Sequence, residues 1–312
     1  MTVTMFAGFT LLLPVVPLQL VGLGGSAVAA AAATTVFMLT TVLTQLGVPA
    51  LLRRRGHRWV IVVGGLLLGG PALLYPGLGS VSAVLGVTAV RGCGFGLLTV
   101  AAGALVAELV PPRRLGRATG IYGVAIGAPQ LVTLPVGLAL AAQHGPTPVL
   151  LAGGVLPLVG ALVALGLPAH TAPAAAPAPP RLPVPAVVAP VLAMVVVAVS
   201  FGATVTNLAL AVPERAGTVG VALSALTGAM LVGRVVAGPL AERLGAPGRL
   251  LPAGVLLAAA GAAGLALAVG SPSTSSLVLG AGVFGAGFGL VQTDSMVAMF
   301  AIAGPARFGP AS

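Results

Sequence analysis

Residues Val81–Leu109 read VSAVLGVTAVRGCGFGLLTVAAGALVAEL. The run holds 29 residues with one internal charge, Arg91, and one acid near its end, Glu108. A helix needs about 20 apolar residues to cross the hydrocarbon of a bilayer, so this run can span. Comparable runs lie near 3–22, 27–51, 59–79, 117–142, 147–168, 186–212, 217–241, 249–270 and 275–303. The breaks between them carry Pro, Gly, Ser or charge, as loops do. Ten crossings are therefore expected.

Composition agrees. Among 312 residues only 14 are Lys or Arg and 4 are Asp or Glu, while 58% are apolar. Mean hydropathy is +1.16. A water-soluble domain would carry roughly a quarter charged residues. A cytosolic enzyme, a secreted domain and a disordered chain are thereby excluded. The net charge of +10 does not signal nucleic acid, because the arginines gather in short loops between apolar runs. With the N-terminus cytoplasmic, eleven fall inside: Arg53, Arg54, Arg55, Arg58, Arg113, Arg114, Arg117, Arg181, Arg243, Arg249 and Arg307. Only Arg215 falls outside, and Arg91 and Arg234 lie within spans. That asymmetry supports both the count and the orientation. The first run lacks a basic leader and a clear cleavage site, so it is read as a retained span.

The run quoted above has a second copy. Gly92-Cys-Gly-Phe-Gly-Leu97 recurs as Gly285-Ala-Gly-Phe-Gly-Leu290, 193 residues on. Pro49-Ala-Leu-Leu-Arg-Arg-Arg-Gly56 recurs as Gly238-Pro-Leu-Ala-Glu-Arg-Leu-Gly245, 189 residues on. Six spans separate the copies, so they share one orientation, as in the parallel repeats of two-bundle transporters. The expected division is a six-helix bundle over 1–168, a Pro/Ala-rich cytoplasmic linker over 169–185 and a second bundle over 186–312. The second bundle would have four spans, two fewer than the first.

These motifs resemble the major facilitator superfamily of secondary transporters, over nearly the whole chain. Its signature loop, G-x-L-a-D-r-x-G-r-r, is matched best by the later copy: Gly238, Leu240, Glu242 in place of Asp, Arg243 and Gly245. The earlier copy has Pro49 for Gly and Arg53 for the acid, but keeps Leu51, Arg54, Gly56 and Arg58. Arg91 and the glycines after it resemble the family's R-x-x-x-G element. Gly123-x-x-x-Gly127-Ala-Pro129 resembles the G-x-x-x-G-P motif of proton-driven exporters, with the proline displaced by one. The resemblance implies an all-α, polytopic two-bundle fold, usually of twelve spans, so the last two would be absent here. It implies alternating access and proton-coupled export of a small, largely hydrophobic organic compound across the cell membrane. An uptake symporter and a truncated, non-transporting remnant are the alternatives. A monomer in a lipid bilayer is expected, with protons and a small-molecule substrate as partners and no cofactor.

Buried charges are the candidates for the work, because an ionisable group in a span costs roughly 2.5–3.5 kcal/mol on insertion scales unless it meets water or a partner. Asp294, about 28 Å into the tenth span, is a coupling or substrate-binding acid, since its carboxyl can take and release a proton. Arg91, about 15 Å into the fourth, is fixed in charge and suits an anionic substrate or a nearby carboxyl. Arg234, Glu242 and Arg243, with Gly238, Gly245, Arg54 and Gly56, resemble the family's cytoplasmic gate. Gly92, Gly96, Gly123, Gly127, Gly285 and Gly289 suit close helix packing, and Pro129 and Pro135 should kink the fifth span. Gln45, Gln130, Asn207, Gln292 and Thr293 are polar span residues that could line a cavity. Glu108 should pair locally with Arg113 or Arg114. Cys93 stands alone, which allows no intrachain disulfide, and His57, His144 and His170 are scattered, which gives no metal-ligand spacing. No nucleophile–base pair is legible, so no enzyme is expected.

Overall fold

In lipid every backbone amide must find its partner within the chain, and a run of apolar residues does so as a helix. The computed structural model describes residues 1–109, 115–168, 184–244, 248–270 and 273–303, and among them there is no strand. The helices are α1 (Thr2–Leu12), α2 (Val15–Gly22), α3 (Ala27–Gly69), α4 (Val81–Leu109), α5 (Leu115–His144), α6 (Pro146–Ala164), α7 (Val184–Ala211), α8 (Ala216–Leu244), α9 (Leu251–Val269) and α10 (Thr274–Ala303). Short 3-10 turns at Pro71–Gly77 and Pro213–Arg215 follow α3 and α7.

Nine helical stretches among the described residues are long and apolar enough to cross a membrane. One of them, Ala27–Gly77, has 51 residues. At about 1.5 Å per residue it would be more than twice a bilayer long. It is not one rod, because Gly56 inside it is non-helical, with φ 73° and ψ 166°. Only glycine reaches that conformation without strain. The stretch therefore supplies the second and third expected spans, joined at Gly56. The first span is broken differently. Pro14 separates α1 from α2, and Thr2–Gly22 counts as one stretch.

Serine starts three helices. Ser26, Ser80 and Ser273 each accept, through Oγ, a backbone N–H three residues on, at 3.2–3.3 Å. These caps satisfy amides that the first helical turn leaves open. Away from such ends the helices present apolar surface. Val28, Leu46, Leu256 and Leu267 are each more than 70% exposed, as side chains facing lipid tails would be. Arg53, Arg54 and Arg55, by contrast, are exposed beside the break at Gly56, and Arg249 is exposed just before α9.

The chain forms two compact units: Met1–Val106, Ala128–Ala175 and Val205–Ala216 in one, and Ala107–Gly127, Ala176–Thr204 and Gly217–Ser312 in the other. Packing thus groups parts of α5 and α7 with each unit, whereas the expected boundary follows chain order. The expected linker lies outside the described residues up to position 183. In the first unit Phe6, Phe9, Phe37 and Phe95 form a ring cluster, with Phe9 stacked on Phe95 at 4.2 Å. Beside it Leu12, Val15, Leu20, Tyr75, Val84 and Leu150 make a buried core. In the second unit Phe201 and Phe288 meet at 5.1 Å.

The repeat seen in the sequence is also a repeat of contacts. A Cβ on Gly92 would strike the carbonyl of Phe37, and one on Gly96 that of Thr41. A Cβ on Gly285 would strike the carbonyl of Leu226, and one on Gly289 that of Met230. Positions 37 and 226, and 41 and 230, are each 189 apart, while the glycines are 193 apart. Gly94 meets Gly64 and Leu68, as Gly287 meets Gly254 and Ala258. Within each unit the same backbone surfaces touch at the same register. These close approaches are what small residues permit between helices in lipid.

Candidate functional site

Arg91 sits on α4 and is 3% exposed. Its Nε donates to the Leu68 carbonyl at 3.1 Å, and its Nη1 to the Tyr75 hydroxyl at 3.1 Å. The guanidinium also lies over the rings of Tyr75, at 5.3 Å, and Phe37, at 5.7 Å. Thr88, one turn before Arg91, gives its hydroxyl proton to the Val84 carbonyl at 2.7 Å. The Tyr75 hydroxyl, 2.8 Å from Thr88 Oγ1, must then donate to Thr88 while accepting from Arg91. Gln19 Nε2 donates to the Tyr75 carbonyl at 2.7 Å and ties α2 to the same residue. The network orients the guanidinium but leaves Nη2 buried without a hydrogen-bond partner.

Arg91 also lines a narrow recess, part of it open to the surroundings. Its walls include Phe9, Leu12 and Leu13 of the first span and Thr34 and Phe37 of α3, with Thr88 and Arg91 on α4. Thr34 Oγ1 is 2.6 Å from Thr206 Oγ1, a residue of the same unit. The polar residues expected to line a cavity do not line this one; Thr34 and Thr88 do. Gln45 instead donates to Thr99 Oγ1 at 3.0 Å, and Gln130 and Gln292 each keep a buried Oε1 without a partner.

Asp294 is fully buried in α10. Its Oδ1 accepts from the Gly248 amide at 3.1 Å and its Oδ2 from the Leu250 amide at 2.8 Å. Leu250 is the N-cap of α9 and has no side-chain oxygen to give. A carboxylate from a neighbouring helix instead holds the two amides that lead into α9. The negative charge faces the positive end of the α9 dipole. Ser295, next in the chain, donates to the Pro190 carbonyl at 3.2 Å.

Arg234, half-buried on α8, reaches α5. Its Nη1 donates to the Gly123 carbonyl at 3.0 Å and its Nη2 contacts Met230 Sδ at 3.7 Å, while Nε is buried without a partner. A Cβ on Gly127 would lie 2.9 Å from Arg234 Nη1. The spacing read as a helix-packing stripe is thus a seat for a guanidinium. Gly123 corrects the packing expectation, because a Cβ there would meet nothing within 4 Å; its contribution is a carbonyl. Gly238 is likewise open within 4 Å. Arg54 is exposed and Gly56 makes the turn described above. The side chains of Glu242 and Arg243, together with Gly245, Arg113, Arg114 and His170, lie outside the described residues. α5 runs unbroken through Pro129 and Pro135.

Tyr75, Phe37 and the Leu68 carbonyl were not foreseen from sequence as partners of Arg91. One signal existed: Thr88 and Arg91 are three apart and share a helix face.

Apolar crossings, a duplicated set of glycine contacts and a buried cation beside a recess define an internally repeated, multi-pass membrane protein. The chain belongs to the Major Facilitator Superfamily, whose pattern matches residues 1–312. It is accordingly a secondary transporter with a small-molecule substrate in a lipid bilayer, rather than an enzyme. No curated protein matches it in sequence. Its fold is similar to two crystal structures of a bacterial homologue of the human lysosomal transporter Spinster, both at 16% identity and TM-score 0.69. The inward-facing, occupied form is matched over 94% of this chain and 71% of that one. The inward-facing, unoccupied form is matched over 97% and 77%. At that identity the likeness shows the fold alone.

Proposed function

We propose that the protein exports a small, largely hydrophobic organic compound across the cell membrane in exchange for protons, by alternating access, as a monomer with its N-terminus cytoplasmic. The observation that carries this reading is the recess beside Arg91. It is mostly apolar, holds one buried cation, and lies about 15 Å into α4, near the bilayer midplane where transporters of repeated design place their sites. The eleven-to-one arginine split supports the orientation. The α5 element Gly123, Gly127, Pro129 supports export, and here it holds Arg234 of α8. With Glu242 and Arg243, Arg234 belongs to a cytoplasmic gate that forms in one state and opens in the other. Asp294 is the coupling acid of this scheme. Its protonation removes an acceptor from the Gly248 or Leu250 amide and loosens the start of α9.

Inverted vesicles carrying the protein test the proposal, with anilinonaphthalenesulfonate as a fluorescent hydrophobic probe. An exporter driven by protons accumulates the probe when the vesicle interior is acid. Accumulation only when the interior is alkaline would make the protein an uptake symporter.

A further inference from the structure

We infer that the Arg91 recess binds the anionic head of an amphiphilic organic compound, with the apolar body of that compound against Phe9, Leu12, Leu13 and Phe37. This rests on the transporter reading and names its substrate class.

Three observations converge. The first is charge. Every partner of Arg91 among the described residues is neutral: a carbonyl, a phenol and two ring faces. A buried guanidinium so placed keeps its whole positive charge uncompensated, and its Nη2 protons have no acceptor. Buried charges in membranes pair with an opposite charge or backbone carbonyls, or face water; the Leu68 carbonyl serves Nε, and nothing serves Nη2. A carboxylate, sulfonate or phosphate head supplies both the charge and the acceptors.

The second is the repeat. The position 193 residues after Arg91 is Phe284, which is 1% exposed. The glycines that follow it make the same backbone contacts as those that follow Arg91. The fold thus fills this position with an apolar ring when packing is all that is asked. Packing therefore does not explain the arginine.

The third is the wall. Four large apolar side chains and two hydroxyls, Thr34 and Thr88, surround the cation. A site for an inorganic ion would be walled by donors, whereas this one offers one charge and a greasy sleeve.

The full chain in phosphatidylcholine nanodiscs is titrated with octanoate, octanol, octyltrimethylammonium and acetate, and thermal unfolding is followed. Octanoate should raise the unfolding midpoint saturably, and the other three should not. Arg91→Gln should weaken the octanoate half-saturation about ten- to hundred-fold, and Arg91→Lys by less. Ala33→Leu, which narrows the recess and leaves Arg91 in place, should also abolish the response; it keeps the test alive if Arg91→Gln does not fold. An equal response to octanol, or a response to acetate alone, would overturn the inference. So would an octanoate response undiminished in Arg91→Gln and Ala33→Leu. Flux assays separate the two levels. Octanoate binding without any proton-driven flux removes the transporter reading and leaves the site. Probe flux unaffected by Arg91→Gln removes the site and leaves the transporter.

Discussion

Replacing Gly285 by alanine tests the helix register most sharply. A Cβ there would lie 2.8 Å from the Leu226 carbonyl carbon and 3.0 Å from its Cα, with the carbonyl oxygen closer still. These are backbone atoms of α8, so no side chain can swing aside and the two helices must part. Overpacking of this kind costs about 1–3 kcal/mol. Against it stands the gain of about 0.5–1 kcal/mol when alanine replaces glycine within a helix. Gly282, one turn earlier on α10, has nothing within 4 Å of where a Cβ would lie, so Gly282→Ala should show that gain alone. The difference between the two variants isolates the overpacking cost. The first half supplies an independent copy: Gly92 faces the Phe37 carbonyl, and Gly86 is open. Unfolding of the purified chain by dodecyl sulfate in mixed micelles measures all four variants. Gly285→Ala and Gly92→Ala should unfold earlier than wild type, and Gly282→Ala and Gly86→Ala should not. If the first pair proves as stable as the second, the helices do not meet at these glycines and the register is wrong.

Asp294→Ala leaves two amides before α9 without their acceptor, about 1–3 kcal/mol for each. Hydrogen exchange should rise at Gly248 and Leu250, and Asp294→Asn, which keeps one acceptor, should fall between. Gly127→Val should push Arg234 off the Gly123 carbonyl and slow proton-driven probe flux several-fold, while Gly123→Ala, with open space, should leave flux near wild type. Gly56→Ala places a Cβ at φ 73° and ψ 166°, a region open essentially to glycine alone, costing about 1–3 kcal/mol; thermal unfolding should show the loss, and Gly56→Asn should lose about as much.

How much of this was written in the chain varies from residue to residue. The crossings were legible because a bilayer selects for long apolar runs, and the expected limits 81–109 and 275–303 meet α4 and α10 within a residue at each end. The turn at Gly56 was marked only by its place in a motif, since a positive φ has no periodic signature. The duplication could be read because its glycines stand in a fixed pattern. The partners they touch could not, since carbonyls carry no residue code. The same holds for Asp294. Its depth marked it as unusual, but the two amides it holds belong to a turn more than forty residues away and are ordinary in sequence. Arg91 draws on residues 37, 68 and 75, which only the folded chain brings together.

Sidedness of labelling tests the ten-crossing topology most directly. Single cysteines at Arg54, Glu214 and Arg249, all exposed positions, are placed in a Cys93→Ser background and treated with an impermeant maleimide in vesicles of known orientation. Arg54→Cys and Arg249→Cys should react only from the cytoplasmic side, and Glu214→Cys only from the other. Labelling of positions 54 and 249 from opposite sides would contradict the account.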